Sequence, residues 1–153
     1  MKKIILAALL VSGLTSAFAT TGNDNGKNIN KTATSSFNSN FNHARNVSWT
    51  ESSRFTIATF TMNNKIMYAY YDLQGKYIGT IHNIATTELP ESLSASLKKQ
   101  YAKYWVSELF ELNSDQDSSY FVRVEDSNGS RVLRSTDGQT WEAYNVSLPQ
   151  AKM

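Results

Sequence analysis

Eight short segments rich in Val, Ile, Thr, Tyr and Phe, set four on each side of one proline-started helix, confine this chain to a fold built around a sheet. The first four cover residues 47–51, 54–62, 65–71 and 76–81, and the second four cover 105–112, 119–125, 130–135 and 140–146. Turn residues separate them: Asn63-Asn64, Asp72 through Gly75, Asp126 through Gly129, and Asp137-Gly138. Asn and Gly tolerate positive φ, and Asp accepts hydrogen bonds from its own turn, so neighbouring segments return antiparallel. If Asn63-Asn64 is a two-residue turn, Phe60 pairs with Met67, Ala58 with Ala69 and Thr56 with Tyr71 on one face. Thr59 then pairs with Tyr68 and Ile57 with Tyr70 on the other. The loop from Asp72 to Gly75 leaves the faces of the fourth segment open, because one residue of slip inverts them.

Two helices complete the pattern. The first is expected to start at Ser35 or Ser36 as N-cap, to carry Phe37, Phe41 and Ala44 on one face, and to end by Asn46. His43 then falls at its C-terminal end, where a cation is favoured. The second starts at Pro90, where a missing N–H costs nothing, with Glu91 complementing the positive end. Leu93, Leu97, Tyr101 and Tyr104 form its buried stripe, and Lys98, Lys99 and Lys103 its solvated side. The order of one helix and four strands thus occurs twice. Gly75 and Gly138 fall in matching turns, as do Tyr77 and Trp141 after them, which points to a degenerate repeat of roughly 60 residues, at about 35–84 and 85–146. The expected fold class is α+β: two such repeats, each a helix followed by an antiparallel four-stranded meander.

The ends of the chain read differently. Lys2 and Lys3, an apolar run over 4–11 and the small-x-small pattern Ala17-Phe18-Ala19 predict an export signal over 1–19, cleaved after Ala19. The apolar stretch over 4–14 is well short of the ~20 residues that cross a bilayer. Residues 20–34 are Thr, Asn, Gly, Asp and Lys with Ile29 as the one large apolar side chain, and read as a flexible leader. Residues 147–153 read as a tail. The chain has 153 residues with 15 basic and 13 acidic side chains; loss of Lys2 and Lys3 makes the two counts equal. A near-neutral mature chain lacks the basic face that nucleic-acid binding requires. It contains no Cys, which rules out disulfides and lipid attachment through Cys, so three Trp, eight Tyr and seven Phe must supply the packing. Trp49 and Trp141 are expected core anchors.

Several residues in these positions resemble a known group. Phe41-x-x-Ala44-x-x-Val47-x-Trp49, Ala58-x-Phe60, Tyr68-Ala69-Tyr70-Tyr71-Asp72-x-x-Gly75, and Leu89-Pro90 opening a helix that ends in Tyr101 together resemble the PepSY-like, beta-lactamase-inhibitor-like exported proteins of Bacteroidetes. The resemblance covers the chain after the leader. It implies an exported α+β protein of two helix-plus-sheet repeats, and it implies no catalytic residues.

Catalytic and metal chemistry find little support. His43 and His82 are the only histidines, in no ligand spacing, and no Gly-x-Ser-x-Gly elbow accompanies them. His82 is expected just past a strand end as a surface residue. Asn113, Asp115, Asp117 and Ser119 alternate as oxygen donors do in calcium loops, but Ser118 stands where such a loop needs Gly and Val124 where it needs Glu. The Asn46-Val47-Ser48 and Asn145-Val146-Ser147 sequons carry no weight at strand edges. No cofactor, metal or enzymatic activity is expected. The informative feature is the hairpin face carrying Ile57, Tyr68 and Tyr70, apolar where a solvated sheet face could be polar, which makes these three the candidate partner surface. The sequence thus points to an exported, non-catalytic binding module, an inhibitor or modulator of another secreted or periplasmic protein. The alternative is a small-ligand or peptide carrier of the cell envelope using a cleft between helix and sheet.

Overall fold

The computed structural model describes residues 29–115 and 117–145. The export signal, most of the expected leader and the tail lie outside the described residues. Helix α1 (Lys31–Asn40) precedes strands β1 (Arg45–Glu51), β2 (Thr56–Met62), β3 (Lys65–Tyr71) and β4 (Tyr77–Asn83). A short 3-10 turn (Thr86–Glu88) and helix α2 (Glu91–Gln100) lead to β5 (Trp105–Asn113), β6 (Ser118–Asp126), β7 (Gly129–Ser135) and β8 (Glu142–Ala143). All eight strands form one antiparallel sheet in chain order. The α+β class is therefore met, with one continuous sheet.

The register of the β2–β3 hairpin is the expected one: Thr56 faces Tyr71, Ile57 Tyr70, Ala58 Ala69, Thr59 Tyr68 and Phe60 Met67. Asn63 and Asn64 both adopt positive φ, as a tight hairpin demands. The faces of β4 are decided by a shift between Tyr70 and Tyr71, after which Thr80 lies opposite Ala69 and Ile81 opposite Tyr68.

Register also fixes where the helices sit. Met67, His82, Glu111 and Tyr120 form one cross-strand row from β3 to β6 and so share a face. Met67 packs in the cluster of Ala33 and Phe37 from α1 with Ala58, Phe60, Ala69 and Tyr71. Tyr120 packs in the cluster of Leu93 and Leu97 from α2 with Leu109, Val122, Val124 and Leu133. Both helices therefore cover the same side of the sheet. Trp49 and Trp141 pack partly buried in these two clusters, Trp141 donating its indole N–H to the Leu93 carbonyl at 3.0 Å.

Three expectations are corrected. Helix α1 begins at Lys31, not after Ser35, because Asn30 is its N-cap and accepts the Thr32 N–H at 2.8 Å. Residues 31–34, read as leader, are helical, and Ala33 is fully buried. Burial against the sheet stabilises a turn whose composition alone reads as disordered. The same helix stops at Asn40, so His43 lies in the following turn rather than at the helix end. His82, expected at the surface, is inside β4 with 8% of its area exposed, since the strand runs on to Asn83 beneath the helix layer.

Candidate functional site

The opposite side of the sheet carries a third cluster, to which neither helix contributes: Phe55, Tyr70, Ile81, Phe110 and Phe121, flanked by partly buried Ile57, Tyr68, Ile78, Leu112 and Tyr144. Alternation along each strand builds it. In β2 and its approach, Phe55 and Ile57 share a face; in β3, Tyr68 and Tyr70 do so; in β5, Phe110 and Leu112. Pairing carries the belt across the sheet, with Tyr68, Ile81, Leu112 and Ser119 in one row and Asn83, Phe110, Phe121, Arg134 and Glu142 in the next.

The aromatic geometry is specific. Phe110 and Phe121 stack at 5.1 Å between centroids, and Tyr144 meets Phe121 edge-on at 5.5 Å. Phe55 meets Tyr70 edge-on at 6.2 Å. The Arg134 guanidinium lies over the rings of Phe121 and Tyr144 at 5.8 and 5.9 Å, an arrangement that holds a cation against π-faces. Its Nε is buried without a hydrogen-bond partner. Beside it the Arg123 Nε donates to Glu108 at 3.1 Å. Exposed apolar residues extend the face at its margins: Ile66, paired with Thr61 two positions from Tyr68, is 60% exposed, and Trp105, paired with Glu125, is 55% exposed.

The three residues singled out from sequence fall together on this face, but in different environments. Ile57 and Tyr68 are half-buried. Tyr70 is 2% exposed, and burial, with Tyr68 as a second contributor, pushes its hydroxyl up to about 12. Tyr70 is thus a packing residue of the face, where an exposed contact residue was expected, because Phe55 meets its ring and Ile81, Phe110 and Phe121 share its buried cluster. Sequence reasoning missed Phe55, Phe110, Phe121, Arg134 and Tyr144. The signal was there in the strand alternation, but joining the two halves required the β3–β4 register that the Asp72–Gly75 loop concealed and the β4–β5 pairing beyond it.

The other polar sites are structural in their bonding. Ser118 donates to the Asn113 side chain and Ser114 to the Asp117 carbonyl, closing the β5–β6 turn. The Asp137 carboxylate accepts from the Gln139 and Thr140 N–H groups and from the Thr140 and Ser135 hydroxyls, which holds it well below the usual carboxylate range. Among the described residues there is no group of three or more His, Asp or Glu placed to hold a metal ion, and no helix long and apolar enough to cross a membrane.

No family model matches the chain, and no curated relative does so either. Solved structures do. A DUF2874 family protein from Bacteroides ovatus ATCC 8483 superposes with a TM-score of 0.69 at 19% identity, over 80% of this chain and 91% of that one. A BLIP-like protein from Bacteroides fragilis NCTC 9343 does so with a TM-score of 0.67 at 12% identity, over 80% and 89%. A "putative periplasmic" protein from Bacteroides eggerthii DSM 20697 gives 0.62 at 12% identity, over 74% and 87%. At these identities the shared property is the fold: this chain has the fold of DUF2874 and BLIP-like proteins of Bacteroides.

Proposed function

We propose that this chain is an exported, non-catalytic binding module that inhibits or modulates another secreted or periplasmic protein through the face of its sheet opposite α1 and α2. The observation that carries this reading is an aromatic and apolar belt, with Arg134 set over two of its rings, on a side that neither helix packs against. Antiparallel sheets often turn a polar face to water, and Tyr, Trp and Arg dominate the energetic centres of protein interfaces. The partly buried Ile57, Tyr68, Leu112 and Tyr144 form the contact floor, and the exposed Ile66 and Trp105 its margins. The fold shared with a BLIP-like protein supports a binding role.

Export rests on the charged start, apolar run and Ala17-Phe18-Ala19, with the periplasmic naming of one neighbour in support. Kinship with PepSY-like proteins belongs to the same reading. So does descent from two helix-plus-meander repeats, supported by Gly75 and Gly138, which adopt positive φ in turns lying against the starts of α1 and α2 respectively.

The test uses the mature chain with a photo-reactive residue in place of Ile66, and a control placed at exposed Lys99 on α2. Cross-linking in the native envelope is expected at position 66 and not at 99. Once the partner is identified, Tyr68→Ser is expected to cost about 2 kcal/mol of affinity, roughly 30-fold, as an interface tyrosine does. Unchanged affinity in a folded Tyr68→Ser variant that also carries Ile66→Asp would sink this assignment of the face.

A further inference from the structure

A second feature lies on the other side of the sheet, independent of the face above. Where α2 ends, the chain leaves a cleft of about 390 Å³ between the helix, the start of β5 and the end of β6. That volume is in the range of small-molecule sites, ~300–1,000 Å³. Leu97, Ala102, Val106 and Val124 provide aliphatic wall, and Tyr101 and Tyr104 provide two rings 5.7 Å apart and nearly perpendicular. Val106 faces the cleft while 39% exposed, an apolar side chain left open where the shift between Val106 and Glu108 loosens the strand pairing.

The polar lining is one-sided. Lys98 lines the cleft together with the hydroxyl residues Thr86 and Ser94, and no carboxylate does. Arg131, across from Val124 on β7, holds its guanidinium over the Tyr104 ring at 5.6 Å. The last carbonyls of α2 oppose an anion with about half a negative charge. One of them is occupied, since the Tyr101 N–H bonds the Leu97 carbonyl, and just past the helix the Tyr104 N–H bonds the Tyr101 carbonyl. Two full cations outweigh what remains.

We infer that this cleft is a binding site for an amphiphilic monocarboxylate, a molecule with an acyl or aryl body and one carboxylate. The body lies along Leu97, Val106 and Val124 between the two tyrosines, and the carboxylate meets Lys98 with Arg131 at the rim. The hydroxyls of Thr86 and Ser94 are available to the same group. Tyr101 and Tyr104 suit such a body because a ring gives contact area while losing few rotamers.

Octanoate is the probe. Titrated below its micellar range into the isotope-labelled mature chain, it is expected to give saturable amide shifts confined to the segments around Leu97, Tyr104, Val106 and Val124. Lys98→Gln with Arg131→Gln, both exposed positions, is expected to weaken octanoate at least tenfold without lowering Tm, and octylamine is expected to bind at least tenfold more weakly than octanoate. Val106→Trp, which fills the cleft, is expected to abolish the shifts; if it fails to fold, the Lys98 and Arg131 pair decides alone. Octylamine binding as tightly as octanoate, shifts that never saturate, or shifts centred on Tyr68 and Tyr144 would each overturn the assignment. Capture of a protein partner through Ile66 and Tyr68 is unaffected by any of these results, so the two readings fail separately.

Discussion

His82 is held in β4 with its Nε2 3.6 Å from the Glu111 carboxylate and its Nδ1 buried without a partner. Burial holds its pKa below the ordinary 6.5; Glu111 and Glu88 pull it up and Lys65 pushes it down, but the desolvation cause leads. The neutral ring is therefore the folded form. As pH falls, the unfolded chain takes up this proton first, so its contribution is complete above about 6.5 and is lost below, until the folded value is passed. Tm measured by calorimetry is expected to be flat from pH 8 to 7 and to fall toward pH 5. His82→Leu should flatten that fall, and an unchanged slope would remove His82 as its cause. Tyr70 and Tyr68, neighbours on one strand, part in the same way. Tyr70→Ala truncates a packed ring and is expected to cost ~3–5 kcal/mol in urea unfolding, whereas half-buried Tyr68→Ala should cost about 1. This is why the binding test leaves Tyr70 in place.

Helix α1 depends on a turn more than forty residues away. The Asn30 side chain caps the helix and also donates to the Leu73 carbonyl at 3.1 Å, while Gly75, at φ +82°, comes so close that a Cβ there would lie 2.6 Å from the Ala33 nitrogen. Gly138 has a similar φ of +69°, yet its nearest neighbour would be Pro90 Cγ at 3.8 Å. Gly75→Ala therefore meets both backbone strain and a clash, and Gly138→Ala the strain alone. Chemical denaturation is expected to show a loss of about 1 kcal/mol for Gly138→Ala and at least twice that for Gly75→Ala. Equal losses would show that the close approach relaxes freely. Elements whose signals are local were legible: the Asn63-Asn64 hairpin, the Pro90 start of α2 and the Leu93/Leu97 stripe stand where spacing puts them. The start of α1 was not, because Thr, Asn and Lys carry no helical stripe and the fixing contact comes from the β3–β4 turn.

Across the molecule the sheet joins its halves through four pairs, Thr80 to Asn83 of β4 against Phe110 to Asn113 of β5. That seam unites Tyr70 and Ile81 with Phe110 and Phe121 in one cluster on one side, and it places α1 and α2 together on the other. The eight strand segments, their turns, the α+β class and the β2–β3 register follow from the sequence, since period-2 alternation and turn chemistry act over a few residues. Which face of β4 each side chain takes, the burial of His82 and Tyr70, and the meeting of Arg134 with Phe121 and Tyr144 were decided only by the tertiary structure. The shift between Tyr70 and Tyr71 sets the faces of β4, and the β4–β5 pairing with a further shift between Val106 and Glu108 sets those of β5; no local preference encodes them. Ile57, Tyr68 and Tyr70 could be placed on one face from sequence alone, but whether each supports that face or meets a partner depends on side chains delivered from strands beyond the seam.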